Sequence, residues 1–483
     1  MRITQSTLYS RALFDIQRGL FRYSQLQTEV ATGRRVNRPS DDPAAALRVL
    51  PLRGELRDLA QFGENVSLAR ETLDISAASL EDGSSVMQRV RELATQAANG
   101  TLSSSDRASI SAEVDQLLDQ MLGIANSRRG ERYLFGGTET GAPPFSLETF
   151  GGRTRAVYGG NRDSLEVSVS PGMSAELNMP GDSVFLSRDR GATSFTAASG
   201  SADTGIASYG SGDTGVGFGR LEVSFAGFAT SSLPAWLSPG GGATTALGEL
   251  TYEYTPASPG PIPTTATLSV AGGPPMPVPV TNGQFRTEDG REVSLSVSDP
   301  GSASPVSGSI QANARLSTDG GKTGSEVTNF DASPNAVRNS DDGSMLYLDP
   351  SNLSRTGSVD VKYGGTFDVF TTLAELRDAL ANESGLDDNS VRDRIGSLLG
   401  EIDRAHDAVL DGLRELGFRS ASMDVLQNRV QGQRVARTES LSRIEDTDIA
   451  ESILELQRQD LSYQTALQVS ARVLQTSLQG FLR

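Results

Sequence analysis

Two adjacent carboxylates, Asp41 and Asp42, lie between Pro39 and Pro43 in the stretch RVNRPSDDPAAAL, residues 35–47. Paired carboxylates can divide acid and base duties, as in glycoside hydrolysis, but such a site needs a polar pocket and partners that orient the substrate. The neighbouring residues offer neither. Helix chemistry explains them better. Pro39 disfavours helix at Arg38, Pro43 suits a first helical position, and Asp42 then falls at the N-cap with Asp41 just before it. Negative charge there complements the dipole of a helix beginning PAAAL.

The other chemically suggestive residues lack the context their chemistry requires. His406, in IDRAHDAVL, is the single histidine, with no serine motif beside it, and is expected to be solvated or to sit between helices. GSGDTG (210–215) has the spacing of a dinucleotide fingerprint, yet no strand pattern precedes it and no helix pattern follows. GGKT (320–323) resembles half of a phosphate loop, but Leu316 stands where the first glycine belongs. DDGS (341–344) and LDDNS (386–390) lack the spacing and terminal glutamate of a calcium loop, and read as turns or helix caps. Trp236 and the tyrosines do not interleave with basic residues as a stacking platform for nucleic acid would.

Composition narrows the field further. Cysteine is absent from the 483 residues, which removes thiolate nucleophiles, disulfides and Cys/His zinc sites. A net charge of −17 argues against nucleic acid and anionic membrane surfaces as partners. MRITQSTLYSRALFDIQRGLF lacks an apolar core and cleavage site, so it is not a conventional signal peptide, and no stretch has the roughly 20 apolar residues of a spanning helix. The expectation is a soluble protein that, if exported, leaves by another route. No catalytic residue, metal or cofactor is called for.

Those excluded sites leave the elements themselves. Tyr9, Leu13, Ile16, Leu20, Tyr23 and Val30 recur three and four residues apart, with one gap at Gln27, and predict a coiled-coil helix over 5–31. Gly33 should end it, with Arg34 and Arg35 at its negative dipole end. Helical pattern resumes from Pro43 to about Asn99, where Pro51 predicts a kink or break. A further helix runs to about Arg128, and ERYLFGG (131–137) reads as a strand leading into a Gly-rich turn.

Between about 150 and 370 short alternating segments such as LEVSFAGF, GELTYEYTP and SVDVKYGG stand between Gly/Pro/Ser/Thr turns, the pattern of β-sandwich or barrel modules. Residues 191–219 and 232–282 are so rich in small and turn residues that long loops or partial disorder stand as an alternative. After 370 helices return. Ile449, Ile453, Leu456, Tyr463, Leu467, Leu474 and Phe481 form a last seam interrupted by Asp460, Ser470 and Ser477. The fold class is α+β and multidomain: long terminal helices packed together as a coiled-coil rod, with a central β-rich outer region. Polar interruptions in both seams suit packing in a multi-chain assembly better than a lone monomer.

Four blocks in order, RVNRPSDDPAAAL, NGTLSSSDRASISAEVDQLLDQMLGIAN, RYLFGGTETGAPPF and LSRIEDTDIAESILELQRQDLSYQTALQVSARVLQTSLQGFL, resemble the flagellin superfamily, and within it the hook-associated proteins of the hook–filament junction. The resemblance covers roughly residues 1–185 and 345–483. It implies a terminal coiled-coil, inner-tube domain (1–40 and 440–483), a helical rod domain (41–150 and 370–439) and a β-rich outer domain (151–190 and 331–369). Residues 191–330 would be an additional Gly/Ser/Thr/Pro-rich β domain. On this resemblance Arg35, Asn37, Asp41, Asp42 and Pro43 shape the turn between inner and rod domains.

The implied function is a structural adaptor that joins hook to filament and offers the surface on which flagellin polymerises. The implied partners are further copies in a ring or short helical assembly, a hook-side hook-associated protein, filament flagellin, and a chaperone on the C-terminal helix before type III flagellar export to the cell exterior. Two other readings are a filament-forming flagellin, and an adhesin or enzyme domain carried on a flagellin-like stem.

Overall fold

The computed structural model describes residues 5–99, 102–186, 190–198, 200–258, 265–382 and 385–481; the side chains at 5, 6, 8, 9, 12 and 473–481 are not described. Its helices are α1 Gln5–Thr32, α2 Pro43–Ala98, α3 Ser104–Ala125, α4 Asp182–Phe185, α5 Val369–Ala381, α6 Asp388–Glu445 and α7 Ile449–Phe481. Strands fill the middle of the chain, giving the α+β order that the alternation of patterns predicts. The chain divides into two compact units, one of residues 1–71, 166–176 and 420–483, the other of 72–165 and 177–419.

In the first unit α1 pairs with α7. Tyr23 stacks on Tyr463 with centroids 6.5 Å apart and planes at 15°. Gln459 donates from Nε2 to the Gly19 carbonyl at 3.3 Å, and Leu26 is buried. The start of α2 and the end of α6 are joined by Arg70–Asp424 at 2.6 Å and Arg437–Glu55 at 2.8 Å. Beneath these exposed ion pairs Val66, Ala69, Met423 and Val430 are buried, and that apolar burial stabilises more than surface pairs do. A hairpin of Glu166–Ser170 and Met173–Glu176 is attached through Asn65 Nδ2 to the Ser168 carbonyl at 2.7 Å.

In the second unit α3 begins at a capping box: Asp106 N–H donates to Ser103 Oγ while Ser103 N–H donates to Asp106. The helical core holds Leu80, Met87, Leu118, Met121, Leu398, Ile402 and Val409. An aromatic group of Phe135, Phe145, Phe185 and Phe370, with ring centroids 5.3–6.0 Å apart, is buried in the same unit.

The β region centres on an antiparallel eight-stranded sheet in the order Met276–Pro277, Thr267–Val270, Gly248–Thr255, Val306–Ser317, Phe218–Phe228, Gly357–Lys362 and Ser194–Ala197, with Ser325–Val327 added on Val306–Ser317. Its two longest strands serve two cores. Phe228, Ile310 and Ala312 join Leu250, Tyr254, Leu268, Phe285 and Leu295 in one. Leu221, Val223, Ala314 and Leu316 join Val337, Leu346, Leu348 and Val361 in the other. The changeover falls at a bulge, where pairing slips between Asn313 and Ala314 and Gly227 adopts φ +141. One extra residue there re-aims both strands.

Two sequence expectations need correction, and one open alternative is decided. α2 runs unbroken through Pro51; Pro51 and Leu47, whose carbonyl loses its partner, are on the exposed side, where water can take the bond. The stretch after Glu131 is strand only at Arg132–Tyr133; Leu134 N–H still donates to the Ser127 carbonyl at 2.9 Å, and Leu134 and Phe135 are buried. Residues 191–219 and 232–282 contain regular strands, among them Ser194–Ala197, Gly248–Thr255 and Thr267–Val270, since Leu250, Tyr252, Tyr254, Leu268 and Val270 supply enough apolar surface to order them.

Candidate functional site: the crossing of the two helix breaks

Both helical arms of the first unit break at the same place. α1 ends at Thr32, Gly33 takes φ +68, and α2 starts at Pro43. α6 ends at Glu445 and α7 starts at Ile449. The two breaks pair antiparallel at Arg34 and Asp446. Arg35 N–H donates to the Glu445 carbonyl at 2.7 Å, Thr447 N–H to the Gly33 carbonyl at 3.0 Å, and the Arg35 guanidinium to the Ile444 carbonyl at 3.0 Å. The backbone groups that each helix end leaves open are thus satisfied by the other.

Each predicted residue of the turn has a definite place in it. Asp41 Oδ2 accepts from the N–H groups of Asn37 at 3.1 Å and Arg38 at 2.7 Å. Asn37 Nδ2 donates to the Arg34 carbonyl at 2.8 Å. Asp42 Oδ1 accepts from Ala45 N–H at 3.0 Å, the bond of an N-cap, and Pro43 opens the helix. Asp42 also lies 3.6 Å from the Arg35 guanidinium. Burial pushes the Glu29 carboxyl above its ordinary range, and the nearby Asp41 charge adds to it. Asp448 begins α7 in the same way, accepting from Ala450 and Glu451.

The centre of the crossing is a residue that local pattern does not reveal. Glu445 is 2% exposed, and its Oε1 meets Arg34 Nε at 2.9 Å and Arg53 Nη2 at 2.5 Å. Its Oε2 is buried without a hydrogen bond among the described residues. Nothing in SRIEDTD marks that glutamate as buried, whereas Leu26, three residues from Tyr23 and four from Val30, was open to recognition by spacing.

Of the seam residues, Ile16, Tyr23, Val30, Leu456 and Tyr463 are half-buried, while Leu13, Leu20, Ile449, Ile453 and Leu467 remain exposed. Leu474 and Phe481 belong to α7, but their side chains lie outside the described residues. A second apolar set, Phe14 and Phe21 on α1 and Leu454 and Leu461 on α7, repeats at seven residues and is 57–74% exposed.

The residues that suggested catalysis have structural partners. His406 Nε2 pairs with Ser84 Oγ at 2.8 Å between α6 and α2. Asp319, before GGKT, accepts from the Thr323 and Ser340 N–H groups and hydroxyls and from Ser317, which holds its carboxyl well below the usual range against the cost of burial. Lys322 pairs with Asp341 at 2.8 Å. Asp342 accepts from Ser344, and Asp387 from Asn389 and Ser390 at the start of α6. Trp236 packs edge-on against Tyr252. Among the described residues no group of three metal-ligating side chains occurs and no helix is long and apolar enough to cross a membrane.

The chain has long helices at both ends and a β-rich middle, and residues 3–140 match the bacterial flagellin N-terminal helical region. It is similar to the flagellar hook-associated protein 3 of Escherichia coli (30% identity over 186 residues, 38% of this chain) and of Salmonella typhimurium (30% over 188 residues, 39% of this chain). Each match spans 57% of that relative's length. It is also similar to Treponema pallidum flagellin FlaB1, at 37% over 99 residues, which are 20% of this chain and 35% of that one. Among solved structures, Xanthomonas campestris FlgL shares 21% identity at a TM-score of 0.44, covering 81% of this chain and 99% of that one.

Proposed function

We propose that this chain is a structural adaptor of the bacterial flagellum, joining the hook to the filament and offering the surface on which flagellin polymerises. The observation that carries the reading is the open apolar set on the terminal helices, Phe14, Phe21, Leu454 and Leu461. Large apolar side chains repeating on a solvent face are a contact surface waiting for partner helices. The similarity to proteins named flagellar hook-associated protein 3 supports hook and filament as those partners.

In this reading the chain works by mechanical coupling, with no bond-making step. Copies of the chain pack in a ring or short helical assembly through the seam from Leu13 to Val30 and from Ile449 to Phe481. The turn at Arg35, Asn37, Asp41, Asp42 and Pro43 sets how the inner-tube segments, 1–40 and 440–483, leave the rod segments, 41–150 and 370–439. Residues 151–190 and 331–369 form the outer domain, with 191–330 an addition to it. A hook-side hook-associated protein and filament flagellin bound the assembly, and a chaperone covers α7 before export through the flagellar type III apparatus to the cell exterior.

Deletion of the gene, with electron microscopy of the cell surface and assay of the medium for flagellin, tests the proposal. Hooks without filaments and flagellin shed into the medium are expected. Normal hooks and filaments would overturn it. Filament loss with no flagellin in the medium would make the chain the filament subunit itself.

A further inference from the structure

A cavity of about 160 Å³ lies in the second unit between the start of α6 and the end of the large sheet, lined among others by Ser194, Thr196, Phe218, Lys362, Arg394 and Ser397. Arg394 dominates it. Its side chain is 15% exposed, and its guanidinium lies 5.0 Å from the centroid of the Phe218 ring. Among the described residues its one ion pair is Nη2 to Asp360 Oδ1 at 3.5 Å, and that same oxygen is shared with Arg220 Nε at 3.4 Å.

A guanidinium has five N–H donors, and a largely buried cation is stable only when paired. One long, shared contact leaves most of Arg394 without acceptors, and burial holds its pKa below the ordinary arginine value. Its Nε and Nη1 are not among the buried atoms that lack a partner, and Arg394 lines the cavity.

The surroundings supply only part of the missing negative charge. Lys362 is taken up by Glu401 at 2.8 Å, and Glu401 is shared with Arg404 at 2.7 Å. Glu375 also acts on Arg394 through its charge, but burial pushes its carboxyl up to about 7 and Arg153 draws on it as well. Ser194 and Thr196 lie on the edge strand Ser194–Ala197, and their hydroxyls make no bond to another described residue.

We propose that this cavity binds a small oxyanion of phosphate or carboxylate type, received by the Arg394 guanidinium and by the hydroxyls of Ser194 and Thr196. The planar fork of arginine suits two oxygens of one anion, and the hydroxyls donate to a third atom or to the same group from the strand side. Asp393 also lines the cavity, so the anion must sit on the strand side of Arg394.

Isothermal titration of the full chain at low ionic strength, once with inorganic phosphate and once with acetate, tests this. Saturable binding of either is expected, weakened at least tenfold in Arg394→Gln and about threefold in Ser194→Ala/Thr196→Val, whose exposed positions leave folding unaffected. Phosphate alone would define a tetrahedral site, and acetate alone a carboxylate site. Absence of saturable binding of both, or binding unchanged in both variants, would overturn the proposal. Hydrogen exchange of residues 190–198 and 390–397, with and without phosphate, guards against misfolding of Arg394→Gln: protection gained by the native chain supports the site, and unchanged exchange overturns it.

Discussion

Arg53 Nη2 stands 2.5 Å from Oε1 of Glu445, the last residue of α6 and 392 residues further along the chain. The same oxygen receives Arg34 at 2.9 Å, so one buried carboxylate ties both helix breaks. Removing both partners from a buried charge costs far more than removing one. Arg34→Ala and Arg53→Ala are each expected to cost about 1 kcal/mol, because both guanidinia are about half exposed, and the double variant about 3 kcal/mol. Urea denaturation of the three variants measures this; additive small losses would show that Glu445 tolerates isolation.

The turn before α2 depends on Asp41 and Asp42 in different ways. Asp42→Ala loses an N-cap and should cost about 1 kcal/mol, while Asp42→Ser restores most of it. Asp41→Ala frees two backbone N–H groups, those of Asn37 and Arg38, and should cost about 1–2 kcal/mol. Thermal melts report both, and faster amide exchange at residues 37 and 38 is expected in Asp41→Ala alone.

Acid–base linkage in the second unit runs opposite to the common case. Burial pushes Glu375 up to about 7, against the pull of the Arg153 guanidinium, and Asp368, the N-cap of α5, to about 6. A carboxyl raised in the folded state binds its proton more tightly there than in the unfolded chain. Its stabilising contribution is full below the unfolded value near 4.5 and is lost as pH rises through about 7. Glu375→Gln should therefore gain about 2 kcal/mol over the native chain at pH 8 and little at pH 5. Denaturation midpoints of both proteins at the two pH values check the sign.

Asp319 organises the loop that looked like half of a phosphate site. Its carboxylate receives donors from Ser317, Thr323 and Ser340, and Asp319→Ala leaves all three without that acceptor, the buried Ser317 among them. A loss of about 3 kcal/mol is expected by chemical denaturation. The depressed pKa gives this group the ordinary sign: its contribution is present above the unfolded value near 3.8 and falls as pH drops below it. A neutral effect of the substitution would mean that the loop is held by Lys322–Asp341 instead.

The sequence by itself determined the elements whose signals act within a turn or two of the chain. Spacing of Leu13 to Val30 gave α1, Gly33 its end, and Pro43 and Asp42 the start of α2. Alternation gave the strands around Leu221, Leu250 and Val359. Family resemblance, carried by four blocks near the ends, added the expected role of the turn. Tertiary structure alone decided that α2 would pass through Pro51, that two strands would serve two cores by way of one bulge, and that Glu445 would be buried between two arginines. Caps and periodicity are local energies, readable in order along the chain. A carboxylate's burial and its partners 392 and 411 residues away depend on which surfaces the packed helices bring together, and no local pattern encodes that.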